Sequence, residues 1–254
     1  MLKNPYLVPG LARGLRLLQL FRPACPVIGA PEIARELELP RTTAFRLLQT
    51  LETLEFVERT ANGTFKLGPA VLRLGFEFIA SQDVTEYGRD VVERLCVGTG
   101  LSSQLAILDG RELVVVLKKN PAGAIVSNVQ VGTRMPAHAT VVGRVLLQDT
   151  DVRKLFSEGR LKHYTAHTPK SVTELERLIA EDRSRGYAVS ESAYESGISA
   201  IAAPVRNHEQ RVVAAMSVIV FQSGLEPRRR SKLIQATLAA AAELSRRLSY
   251  REAA

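Results

Sequence analysis

The chain has 254 residues, 46% hydrophobic and 24% charged, with a formal net charge of +8 and a pI near 9.8. That composition fits a soluble globular protein with room for one large domain or two smaller ones, and its basic balance suits an anionic partner. Short, interrupted apolar runs exclude a membrane span, the N-terminus lacks the apolar core of a signal peptide, and two cysteines without CxxC spacing, Cys25 and Cys96, exclude a disulfide scaffold.

A reducing cytoplasm is therefore the expected compartment, with no membrane partner. The charge is spread along the chain. Residues 1–80 hold 10 Lys/Arg against 7 Asp/Glu, and the remainder holds 24 against 19. Residues 1–31 carry Lys3, Arg13, Arg16 and Arg22 and no acid.

Residues 1–9 read as an arm. From Gly10 to Phe21 the residues Leu11, Leu15, Leu18 and Phe21 form a stripe expected to face inward on a first helix, which Pro23 and Pro26 stop. A second helix is predicted from Ala30 to Leu37, with Pro31 in its first turn and Ile33, Ala34 and Leu37 inward. Glu38-Leu39 is the turn, and a third helix follows over 40–54. Its buried stripe is Ala44, Leu47, Leu48, Leu51 and Leu54.

The other face of that third helix carries Thr42, Phe45, Arg46 and Gln49, with Arg41 and Thr43 beside them and no acid before Glu52. An ordinary solvated face is rich in Glu and Lys. Hydroxyls, an amide, an aromatic ring and arginines are the groups that read base edges or hold phosphates. Two helices joined by a short turn, the second bearing such a face, make a helix-turn-helix.

Residues 56–67 contain Asn62-Gly63 between two β-prone runs, a hairpin signal. After a reader helix, such a hairpin is expected to be a wing whose tip brings Arg59 and Lys66 to DNA. Gly68-Pro69 marks a boundary. Residues 69–82 are apolar on more than one face, as a linker helix packed on a partner subunit would be.

From residue 83 the pattern changes. The expected order is a helix over 84–97, strands at Ser102–Leu108 and Glu112–Lys118, and a third strand near Ala124–Val131. Helices at 139–148, 151–157 and 172–185 follow, then strands at 198–206 and 211–221 and a last helix from Glu226 to Tyr250. This is an α+β domain around one mixed sheet.

In sum the chain resembles the IclR family of bacterial transcription regulators over nearly its whole length. The residues that carry the resemblance include 11–15, Glu32-Ile33-Ala34, 39–48 and Leu67-Gly68 in the first part. In the second part they include 132–140, Gly143-Arg144, Arg185-Gly186-Tyr187 and 197–205. The resemblance implies a winged helix-turn-helix domain over 1–68, a linker helix over 69–82 and a GAF-like effector-binding and oligomerisation domain over 83–254. It implies a homodimer or homotetramer on a palindromic double-stranded operator. DNA contact is expected from Arg13, Arg41, Thr42, Thr43, Phe45, Arg46, Gln49, Arg59 and Lys66.

By the same family pattern, the effector pocket is lined by Ala124, Met135, Val141, Val142, Ser190, Ile198, Ala200, Ser217 and Ile219. The small-keto-acid binders of the family have small residues where Val141 and Val142 stand, an acid at the Ser190 position and a hydroxyl at the Ile219 position. This pocket is more apolar, so its expected effector is a small organic acid with an apolar, possible aromatic, body. The start of the helix at 139–148 offers N–H groups to a carboxylate.

Two other functional classes fit the sequence less well. A small-molecule binder whose winged helix serves protein contacts would need no palindrome. An enzyme would need chemistry that the sequence lacks. Ser192, Ser196 and Ser199 have no nucleophile-elbow glycines, and neither a phosphate loop nor a dinucleotide fingerprint is present. His163 and His167 are four apart but sit in a loop-like stretch without Cys or paired acids, and His138 is better suited to a structural role. No catalytic residue, metal or cofactor is expected.

Overall fold

The computed structural model describes residues 6–22, 24–80, 83–123, 129–157, 161–221 and 226–249. The chain divides into two compact units, Met1–Ser81 and Gln82–Ala254.

The first unit opens with α1 (Pro9–Leu18), followed by β1 (Val27–Ile28), α2 (Ala30–Glu36) and α3 (Arg41–Thr53). The hairpin β2 (Val57–Arg59) and β3 (Phe65–Leu67) follows, then α4 (Pro69–Ala80). Leu17, Ile33, Ala44, Leu48, Val57 and Phe65 are almost wholly buried in one core. Two expectations fail here: Leu54, placed in the buried stripe of the third helix, is 54% exposed just beyond α3, and the stripe of α1 is not the one buried. Leu11 and Leu15 are 63% and 54% exposed, and α1 buries Gly14 and Leu17 instead, with Phe21 beyond its end. A helix with leucines at 11, 15, 17 and 18 carries two overlapping stripes, and its period alone does not say which one meets α3.

The turn between α2 and α3 places Glu38 at φ +52 and returns the Leu39 N–H to the Ala34 carbonyl. β1 was not foreseen. It pairs with β3, so the wing is a three-stranded sheet in the order β1-β3-β2. The hairpin loop is 60–64, closed by Thr60 and Thr64 and turned by Gly63 at φ +75. Arg59 and Lys66 stand on the strands rather than at that tip.

The second unit is built on β4 (Ser102–Asp109), β5 (Glu112–Lys119), β6 (Arg134–Pro136), β7 (Ala188–Glu191), β8 (Ser199–Arg206) and β9 (Val212–Val220). They form one sheet in the order β6-β5-β4-β9-β8-β7. Every pairing is antiparallel, so the sheet is not mixed. The third strand predicted near Ala124–Val131 lies mostly outside the described residues, at 124–128. Residues 129–131 are not strand, and the strand beside β5 is β6.

Two helices, α5 (Asp83–Thr99) and α9 (Pro227–Ser249), cover one face of the sheet over Leu105, Ile201 and Met216, with Leu244 of α9 in the same core. The other face carries α6 (Val141–Leu146), packed on Ala106, Val115, Ala202 and Ala215. Behind α6 lie α7 (Val152–Leu155) and α8 (Val172–Arg185). The predicted helix at 139–148 is thus broken into a 3-10 turn (Ala137–Ala139), α6 and a second 3-10 turn (Leu147–Asp149). A Cβ at Gly143 would fall 2.1 Å from the Ala137 carbonyl oxygen, so only glycine lets α6 close on the first of these turns.

Candidate functional site

Arg41, Thr42, Phe45 and Arg46 lie exposed on α3, and Arg13 is exposed on α1. Thr43 is half-buried. Phe45 is 46% exposed, which water does not favour for a benzyl group and a partner surface would. Gln49 is drawn aside: its Nε2 donates to Glu52 at 2.7 Å. Arg59 donates to the same carboxylate at 3.3 Å and lies over the rings of Phe65 and Phe45. Lys66 pairs with Glu58 at 2.8 Å. The two wing cations expected at the tip are therefore held by acids at the flank of the hairpin.

The second unit holds a cavity of about 570 Å³ between the sheet and α6, closed in part by the segment 193–198. Met135, Val141, Val142, Ser190, Ile198, Ala200 and Ile219 line it. Ser217 does not. It is fully buried, and among the described residues its hydroxyl has no hydrogen-bond partner. Ala124 lies outside the described residues.

Several wall residues escaped the sequence reading. Gln104 projects from β4 into the cavity and is 2% exposed. Its only signal was an amide inside an apolar strand. Tyr194 also lines the cavity and packs on Tyr164 in a tilted pair, 4.8 Å between ring centroids. Thr165 and Thr168 pin this wall by donating to the carbonyls of Ser192 and Ala193 at 2.7 and 2.8 Å.

Charge in the cavity is already balanced in places. Arg134 lines it but donates to Asp109 and Glu112, each at 2.7 Å, which raises its pKa further. Glu195 stands exposed at the wall. At the start of α6 the Thr140 hydroxyl accepts the Gly143 N–H at 3.0 Å, a side-chain cap. The N–H groups of Val141 and Val142 remain as the open donors of that first turn.

His138 sits in the 3-10 turn, 7% exposed, with Nε2 donating to the Lys162 carbonyl at 2.9 Å. Burial holds its pKa below the usual histidine value, so the neutral ring is a packing element against Phe156 and Tyr164. Among the described residues no group of three His, Cys, Asp or Glu is placed to hold a metal, and no helix is long and apolar enough to cross a membrane.

Two family models match the chain. The IclR helix-turn-helix domain covers residues 10–61, and the bacterial transcriptional regulator IclR C-terminal domain covers 76–246. The HTH-type transcriptional regulator XynR of Escherichia coli K12 is 31% identical over 252 residues, 96% of this chain and 98% of its own. The p-hydroxybenzoate hydroxylase transcriptional activator of Acinetobacter baylyi is 31% identical over 234 residues, 87% and 84% of the two chains. The crystal structure of an IclR transcriptional regulator from Alicyclobacillus acidocaldarius superposes with a TM-score of 0.83 at 29% identity, covering 96% of this chain and 100% of that one. With both of its units matched, the chain belongs to the IclR family of bacterial transcription regulators, and it is a DNA-binding regulator rather than an enzyme.

Proposed function

We propose that residues 1–68 read one half of a palindromic operator, that 69–82 link the reader to the sensor, and that the cavity within 83–254 binds a small organic acid. The regulator works in the cytoplasm as a homodimer or homotetramer. Its effector has an apolar body, an aromatic ring in preference to a two- or three-carbon keto acid.

One observation carries this reading: a roughly 570 Å³ cavity walled by Met135, Val141, Val142, Ile198 and Ile219, with a few polar groups among them. Small-molecule sites have this volume and this division between apolar wall and placed polar groups. A short keto acid would leave most of the apolar wall against water. One relative activates transcription for p-hydroxybenzoate hydroxylase, an enzyme named for an aromatic acid.

The test is a gel shift on DNA flanking the chain's own gene, repeated with benzoate, 4-hydroxybenzoate, pyruvate and glyoxylate. A salt-sensitive shift altered by the aromatic acids is expected. The absence of any shift, or a response confined to the short acids, overturns the reading.

A further inference from the structure

Three polar residues stand in register across the sheet: Lys118 on β5, Gln104 on β4 and Ser217 on β9. Directly opposed residues of antiparallel strands project to the same face, with Cβ atoms about 4.5–5.5 Å apart. Gln104 projects into the cavity, so all three side chains belong to the α6 side of the sheet.

Each member of the row is in an unusual state. The Gln104 amide is 2% exposed and makes no side-chain hydrogen bond to the protein among the described residues. The Ser217 hydroxyl, one strand over, is buried without a partner among the described residues. The Lys118 ammonium donates to the carbonyl of Val129, itself a wall residue, so the charge stands just behind the wall, although Lys118 does not line the cavity. Burial lowers its pKa, the mark of an ammonium that has lost water.

An amide that opens into a cavity without a protein partner is free to meet a ligand group that completes it. Lysine offers donors only, and a neighbouring amide can add one more. Their common complement is a carboxylate. The rest of the cavity suits one less well. Arg134 is already claimed by two acids, Glu195 is negative, and α6 is six residues long with a first-turn N–H capped by Thr140.

We propose that Gln104 and Lys118 form the carboxylate anchor of the effector, Gln104 touching the acid and Lys118 supplying the charge. The acid then lies head-first on the sheet, and its apolar body faces Met135, Val141 and Val142. The proposal rests on reading this cavity as the effector site.

The experiment is titration calorimetry on the full chain with benzoate and benzamide, near-isosteric probes that differ in charge. The parent protein should bind benzoate at least tenfold tighter than benzamide. In Lys118→Met that ratio should fall below threefold with benzamide binding unchanged, and Lys118→Arg should retain the preference for the anion. Gln104→Leu should weaken both probes tenfold or more, with thermal unfolding of each variant checked against the parent. A ratio preserved in Lys118→Met overturns the anchor alone and places the carboxylate elsewhere. An absence of benzoate binding to the parent overturns the aromatic-acid reading of the cavity and the anchor with it.

Discussion

The guanidinium of Arg59 lies 3.3 Å from the carboxylate of Glu52 and 4.8 Å above the ring of Phe65. The same carboxylate takes the amide of Gln49 at 2.7 Å. One acid near the end of α3 thus restrains two groups proposed to contact DNA. A phosphate must compete with Glu52 before Arg59 can join it. Glu52→Gln should therefore raise affinity for any duplex several-fold. It should also steepen the salt dependence by about 0.9 in log–log slope, the value of one added phosphate contact. In an Arg59→Ala background the same substitution should change little. Fluorescence anisotropy across a salt series reads both quantities. An equal gain with and without Arg59 would show that Glu52 acts only through general repulsion.

Base reading is a separate expectation, because Thr42 and Arg46 share the exposed face of α3 and, among the described residues, no acid side chain pairs with either. Arg46→Ala should weaken operator binding strongly. Thr42→Ala should relax preference at one or two base pairs, with about 1–3 kcal/mol lost at each contacted position. Lys66→Ala should instead weaken all sequences by similar factors. Binding to an operator and its single-base variants separates these outcomes. A folded Arg46→Ala that binds as the parent does would remove α3 from the groove.

The order of the helices and of strands β2, β3, β4, β5, β8 and β9 was readable because each depends on local period and punctuation, whereas β1, β6 and β7 were not predicted. Pro31, Gly63 and Gly186 stand where a helix start, a tight turn and a left-handed helix end require them. What escaped depends on partners distant in sequence. The choice between Leu15 and Leu17 on α1 is made by α3, and the two-residue β1 exists only because β3 lies beside it. Much of the cavity wall was reached through family resemblance. Gln104 was not, since period-2 alternation places a side chain on a face without saying whether that face meets a helix or a void.

Arg144 and Asp182 form a pair with almost no access to water, 4% and 0% exposed, with Nε to Oδ2 at 2.7 Å. Arg185 approaches the other carboxylate oxygen, and Arg144 also donates to the Val189 carbonyl at 3.3 Å. The pair ties α6 to α8 and to β7, next to Ser190 in the cavity wall. Removing the acid leaves a buried guanidinium uncompensated. Asp182→Asn should cost about 3–5 kcal/mol of stability. Urea unfolding of the full chain checks this, and a loss below 1 kcal/mol would show that water reaches Arg144 in the variant.

Acid should loosen the seam between α5 and α9. Hydrogen bonds from Arg247 and Arg94 hold the Asp90 carboxyl down at about 2, against an ordinary 3.8. A depressed folded pKa gives stability that is complete above the unfolded value and is lost as pH falls from 3.8 to about 2. Half the Asp90 side chain is exposed, so solvent screening limits the contribution to about 0.5–1 kcal/mol. Asp90→Asn should lower stability by that amount at neutral pH and flatten the acid limb in that window. An unchanged limb would mean that the ion pairs with Arg94 and Arg247 add nothing in solution.

The last prediction concerns assembly. Leu72 and Leu74 on α4 are each 61% exposed, and Val8 just before α1 and Leu11 and Leu15 on it are 54–63% exposed. Scattered leucines on a surface need no account, but repeated apolar exposure on two helices of so small a unit favours burial against another chain. One winged helix reads half a palindrome, and a two-fold partner supplies the other half with the same surface patch. The protein should sediment as a dimer or larger at micromolar concentration without DNA. Leu72→Ser with Leu74→Ser should shift it toward monomer and lower operator affinity, while benzoate binding to the cavity in the other unit stays within twofold. A parent monomer that binds its operator with full affinity would remove the linker helix from the assembly and require that the two half-sites be bridged by other surfaces.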